Sequence, residues 1–148
     1  LLFTDEPAVL HAGPAPARVT APAVATGRLV GGWVGAVAGT AGAGLPTLDG
    51  AILCLEGTHQ PGCEQVLPLL SRYDIRGVAI GDLTGEEPRV VGVLRSWLGA
   101  LGVPVLEGLP FGHLDAQVCM PLGTPATLDT EAGTLTVSAG TSARPRSR

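Results

Sequence analysis

Lysine and asparagine are absent from these 148 residues, and all nine basic residues are arginines. Against thirteen Asp and Glu they leave a formal charge of −4. Apart from three Arg in the last five residues, no basic run could offset phosphate charge, which argues against nucleic acid as a partner. Aromatic residues make up only 3 % of the chain, too few for a base-stacking surface. Val, Leu, Ala and Ile must therefore fill the core. Charged residues are also sparse, at 15 % against 45 % hydrophobic, the reverse of the balance that keeps chains disordered. Gly (22) and Pro (13) are plentiful but together stay just under a quarter of the chain, short of the level of low-complexity disorder. A chain of this length supports one core and is read as one folded domain.

Cysteines number three, an odd count, and Cys54 and Cys119 lie inside apolar runs where thiols behave as small hydrophobes. A reducing, cytoplasmic compartment fits that pattern. No positively charged leader with an apolar stretch and a small-residue cleavage site is present. The chain starts at Leu1 and its single Met is Met120, so it is expected to be a piece of a longer product.

Residues 1–26 are rich in Ala and Pro and are read as a linker followed by an extended segment, with Pro14, Pro16 and Pro22 arguing against a central strand. Residues 27–138 form the domain, and 139–148 are read as a disordered tail. Leu29 to Leu48 carries no charge and spaces Gly31, Gly35 and Gly39 by four, the pattern of paired membrane helices. Six of its residues are Gly, however, and a membrane span needs about 20 mostly apolar residues. We expect a short helix with a glycine face and no membrane association. AILCLE (Ala51–Glu56) is a continuous apolar run of strand length ending at a carboxylate, as a strand buried on both faces requires.

Residues 60–74 have helical spacing at Val66, Leu67 and Leu70, interrupted by Pro68. GVAIGDL (Gly77–Leu83) reads as a second buried strand. Thr84 and Glu87 read as a capping box before a helix whose apolar face is Val90, Leu94, Trp97, Leu98 and Leu101, ended by Gly102 and Pro104. Val103–His113 reads as a third strand running into a Gly-Pro turn. QVCMPLG, PATLD and GTLTVSA read as three short strands of a closing antiparallel meander. Strands and helices alternate first and strands alone follow, so the predicted class is α/β with a mixed sheet.

Open sheets of this kind bind ligands beyond their strand ends. Glu56 terminates AILCLE and His113 terminates LPFGH, so neighbouring strands could bring the two together. A carboxylate that holds a histidine in one tautomer and stabilises its imidazolium is the acid–base half of a serine hydrolase. Asp115 and Gln117, just after the turn, are the candidate substrate contacts. Asp82, at the end of the second buried strand, could line the same cleft or serve as a turn residue at the helix entry.

GRLVGG (Gly27–Gly32), Gly39-Thr40, LDGAILCLE (Leu48–Glu56), GVAIGDL, VPVLEGLPFGH and MPLGTPATLD (Met120–Asp129) follow one another in an order that resembles the C-terminal domain of the LD-carboxypeptidase family. That family includes the muramoyl-tetrapeptide carboxypeptidases and the microcin C immunity peptidases. The resemblance spans Gly27 to Val137. It implies a swivelling β/β/α-type domain in which Glu56 and His113 are the second and third members of a Ser-Glu-His triad, with murein peptide as substrate and a homodimer possible. The Ser it implies lies in a separate N-terminal nucleophile domain. None of Ser71, Ser96, Ser138, Ser142 and Ser147 follows a strand in a nucleophile elbow. The sequence departs from the family at Gly57, where a second acid is usual, and at Trp33, where Asn is usual.

No cofactor and no metal is expected. The rival readings are a zinc site from the Cys54, His59, Cys63 spacing, completed by His113 or Cys119, and a binding or interaction domain of the same fold without catalysis.

Overall fold

The computed structural model describes residues 6–14, 23–40, 47–57, 67–85 and 87–139. The elements are β1 (Ala8–His11), β2 (Val24–Trp33), α1 (Val34–Thr40), β3 (Ala51–Glu56), a 3-10 segment (Leu67–Arg72), β4 (Gly77–Ile80), α2 (Pro88–Leu101), β5 (Val105–Leu106), β6 (Pro125–Asp129) and β7 (Thr134–Val137). All seven strands join one sheet in the order β1-β7-β6-β2-β3-β4-β5. The β2, β3, β4 and β5 half is parallel and the β1, β7, β6 half is antiparallel, with β6 pairing antiparallel to β2 where the halves meet. This is the mixed α/β sheet with C-terminal antiparallel strands that the sequence implies.

Two clusters of apolar side chains divide the core. Val30, Leu53, Leu55, Val78 and Ile80 point to one face and pack under Val34, Val37, Leu70, Leu94 and Leu98 from the helical segments. Leu29, Ile52, Cys54 and Ala79 point to the other, where they meet Leu106, Leu109, Phe111, Leu128 and Leu135. β3 lies between two parallel neighbours and buries its first five residues completely, which is why it reads as an unbroken apolar run rather than an alternating one. The antiparallel strands alternate instead: Ala126 and Leu128 are inward on β6, and Leu135 and Val137 on β7.

Several details differ from the sequence reading. β2 runs through Gly31 to Trp33, so the helix begins only at Val34, and Gly31 belongs to the strand. There it faces Cys54 on β3, and at φ 153° a Cβ would fall onto the Cys54 carbonyl oxygen. Close approach of two backbones, not a helix–helix face, explains this glycine. Within the stretch read as linker and extended segment, Ala8–His11 forms an edge strand on β7. That strand, rather than QVCMPLG, is the third member of the antiparallel half.

Residues 117–123 form a loop, with the Leu122 amide donating to Met120 and the Gly123 amide to Leu29. Only Val105–Leu106 of the third predicted strand pairs with β4, because Pro104, Gly108 and Pro110 bracket it. Leu67–Arg72 is a 3-10 segment, and the start of the helix predicted over 60–74 lies outside the described residues. The expected tail, residues 139–148, lies outside them too, except for Ala139.

α2 ends where expected but starts at Pro88, three residues beyond the start that a Thr84 cap implies. Glu87 is the N-cap and makes no side-chain capping bond. Pro88 holds the first helical position, where a missing N–H costs nothing. The Thr84 amide instead donates to the Asp82 carboxylate at 2.8 Å, making an Asx turn three residues earlier. Gly102, left-handed at φ 68°, closes the helix as predicted.

Candidate active site

The parallel ladder continues past the formal strand ends. The Gly81 amide donates to the Leu55 carbonyl at 2.9 Å, the Gly57 amide to the Asp82 carbonyl at 3.0 Å, and the Asp82 amide to the Phe111 carbonyl at 2.8 Å. Leu109 in turn donates to Ile80 at 3.1 Å. Three chain segments, 55–57, 81–82 and 109–112, are thereby knitted side by side at the carboxyl ends of β3 and β4 and beyond β5. This is the end of the sheet at which α/β folds hold ligands.

Glu56 is the last residue of β3 and is half-buried, continuing the row of Ile52 and Cys54 by strand alternation. Its Oε2 atom lies 2.9 Å from the position a Cβ on Gly112 would occupy. The carboxylate thus rests against the backbone of the residue that immediately precedes His113. His113 is exposed on the same turn. The two residues singled out from the sequence thus stem from segments on either side of 81–82, at the same end of the sheet.

A cleft of about 230 Å³ opens beside Glu56, lined among others by Gly32, Cys54, Phe111, Gln117 and Met120. Gln117 is exposed and lines this cleft, whereas Asp115 is exposed and does not. The loop of residues 117–122, read from sequence as a strand, supplies much of the wall through Val118, Cys119, Met120 and Leu122. Apolar composition was its only sequence signal, and that signal suits a strand and a cleft wall alike. Asp82 does not line this cleft. It lines a second one of about 450 Å³ that also holds Arg95 and Glu107, and its side chain serves the Asx turn.

Cys54 is a core residue. Burial, and to a lesser degree the Glu56 carboxylate, push its thiol up to about 12, so without a metal it stays protonated at neutral pH. His59 and Cys63, the other members of the spacing that suggested zinc, lie outside the described residues. Among the described residues no three His, Cys, Asp or Glu gather as a metal cluster, and no helix is long and apolar enough to cross a membrane.

A mixed sheet with helices packed on its parallel half, and a cleft beyond the carboxyl ends of its parallel strands, defines an α/β domain. Residues 26–128 match the family model for the LD-carboxypeptidase C-terminal domain, and the chain belongs to that family. A Streptomyces coelicolor protein provisionally named a carboxypeptidase is 36 % identical over 126 residues, covering 78 % of this chain and 41 % of that protein. A similarly named protein of Synechocystis is 41 % identical over 68 residues, covering 41 % of this chain and 23 % of its own length. Among solved structures, the muramoyltetrapeptide carboxypeptidase of Oxalobacter formigenes superposes with a TM-score of 0.68 at 25 % identity, over 95 % of this chain and 52 % of that one. The microcin C7 self-immunity protein, solved with aspartyl sulfamoyl adenosine, has the same fold, with a TM-score of 0.62 at 20 % identity over 92 % of this chain and 42 % of that one. The chain thus spans about half or less of the length of these relatives.

Proposed function

We propose that this chain is the C-terminal half of a serine-type LD-carboxypeptidase that removes the terminal D-alanine from murein tetrapeptides in the cytoplasm. Glu56 and His113 are the second and third members of its triad. The nucleophilic Ser comes from an N-terminal domain of the full-length protein, in keeping with the 41 % and 52 % of relatives' lengths that this chain spans. The observation that carries the reading is the seat of the Glu56 carboxylate against Gly112, one residue before His113.

In this mechanism His113 takes the proton from the Ser hydroxyl as the oxygen attacks the scissile carbonyl, and returns it to the departing amine of D-alanine. Water then attacks the acyl carbon while His113 takes its proton, and His113 returns that proton to the Ser oxygen as the ester bond breaks, leaving tripeptide and free Ser. Glu56 fixes the imidazole tautomer and stabilises the imidazolium formed in both steps. Placing nucleophile and base on separate domains puts the scissile bond in the cleft between them, with Gln117, and Asp115 two residues before it, as the proposed substrate contacts.

The test is release of D-alanine from muramoyl tetrapeptide. The full-length protein turns over, this chain alone does not, and His113→Ala in the full-length protein drops kcat by about 10⁶ while the protein stays folded. Full activity of His113→Ala refutes the reading. A full-length protein that binds the tetrapeptide without cleaving it identifies a binding domain instead.

A further inference from the structure

We propose that Gly112 is a positioning residue, whose lack of a side chain lets the Glu56 carboxylate settle against the turn that presents His113. The inference rests on the triad reading above. Three atoms converge on the space a Cβ there would fill: Glu56 Oε2 at 2.9 Å, Asp82 Cβ at 3.0 Å and the Asp82 amide nitrogen at 3.2 Å. All three are closer than ordinary van der Waals contact. At φ 109° the residue also sits in a conformation that side chains rarely adopt.

The three neighbours are not equally able to yield. Asp82 is pinned on both sides of its backbone, donating to Phe111 at 2.8 Å and accepting from Gly57 at 3.0 Å. Its side chain is tied at 2.8 Å to the Thr84 amide. Glu56 is the far end of a side chain with three rotatable bonds, so a methyl group at position 112 displaces the carboxylate before it displaces the strand end. Displacement of a catalytic partner by about 1 Å is enough to cost about 10²-fold in rate. The share of the damage that passes through Glu56 is relieved by withdrawing Glu56, while the contacts with Asp82 and the strain at φ 109° remain.

Two measurements read that coupling. In the full-length protein, Gly112→Ala lowers the melting temperature, and adding Glu56→Ala raises it part of the way back, although Glu56→Ala raises nothing in the wild-type background. Should Gly112→Ala alone fail to fold, recovery of cooperative melting in the double variant is the expected result. A double variant no more stable than Gly112→Ala overturns the proposal. In the full-length protein, Gly112→Ala lowers kcat about 10²-fold with KM nearly unchanged, and Glu56→Asp lowers it about 10-fold. The Gly112→Ala/Glu56→Asp protein is no slower than Gly112→Ala alone, because the shorter acid vacates the contested space. Losses that multiply to about 10³ overturn the positioning role. Wild-type turnover by His113→Ala, with the melting coupling intact, overturns the triad reading instead.

Discussion

Arg95 reaches from α2 to grip the carboxylate of Glu107 with two nitrogens, Nε at 3.2 Å and Nη2 at 2.9 Å from the same oxygen. Only 5 % of the Glu107 side chain is exposed, against 39 % for Arg95. The acid follows directly on β5, so the pair ties the helix to the outermost parallel strand, in the wall of the second cleft.

Removing the arginine strands a buried carboxylate. A wholly buried pair broken this way costs about 3–5 kcal/mol. Solvent reaching the half-open Arg95 side reduces that to roughly 1–3 kcal/mol here. Arg95→Ala is expected to lower the urea midpoint accordingly, and Glu107→Gln added to it is expected to recover part of the loss by removing the stranded charge. A double variant less stable than Arg95→Ala would show that packing, not charge, dominates.

Gly31→Ala has no comparable escape. Its Cβ would overlap the carbonyl of Cys54 within a paired ladder, and the backbone there is at φ 153°. Overpacking and backbone strain each cost about 1–3 kcal/mol, so the variant is expected to lose roughly 2–6 kcal/mol and to melt far below wild type. Melting within a degree or two of wild type would contradict the close β2–β3 approach.

Cys54 sets a pH dependence whose sign is fixed. In the folded chain its thiol titrates at about 12, against an ordinary value of 9.0. Between those values the unfolded chain releases the proton and the folded one keeps it, so the contribution is full below about pH 9 and is lost as pH rises towards 12. The slope is on the order of 1 kcal/mol per pH unit. Wild-type protein is expected to lose stability to urea more steeply above pH 9 than Cys54→Ala. Equal slopes would contradict the burial. At pH 8 a thiol reagent is expected to label exposed Cys119 promptly and Cys54 only on unfolding.

What the sequence disclosed follows from how local each signal is. β3 and β4 were legible because a strand buried on both faces has to be apolar throughout, and α2 because its apolar period and Gly102 are contiguous. β1 was not legible as a sheet member. Four residues flanked by Pro7 and Gly13 become a strand only by pairing with β7, more than 120 residues later. The 117–123 loop misled for a similar reason, since its apolar residues face a cleft rather than a sheet partner. Glu56 and His113 could be singled out because each sits where an apolar run stops. The part played by Gly112 has no signature in the chain, for it depends on two other strand ends arriving beside it.

In the proposed triad Glu56 and His113 act as one unit, which a double-mutant cycle on kcat for D-alanine release by the full-length protein measures. Groups that work as a unit do not lose rate independently. The Glu56→Ala/His113→Ala protein is therefore predicted to be no slower than His113→Ala alone. A double variant slower by the product of the two single losses, or a His113→Ala protein as fast as wild type, would contradict it.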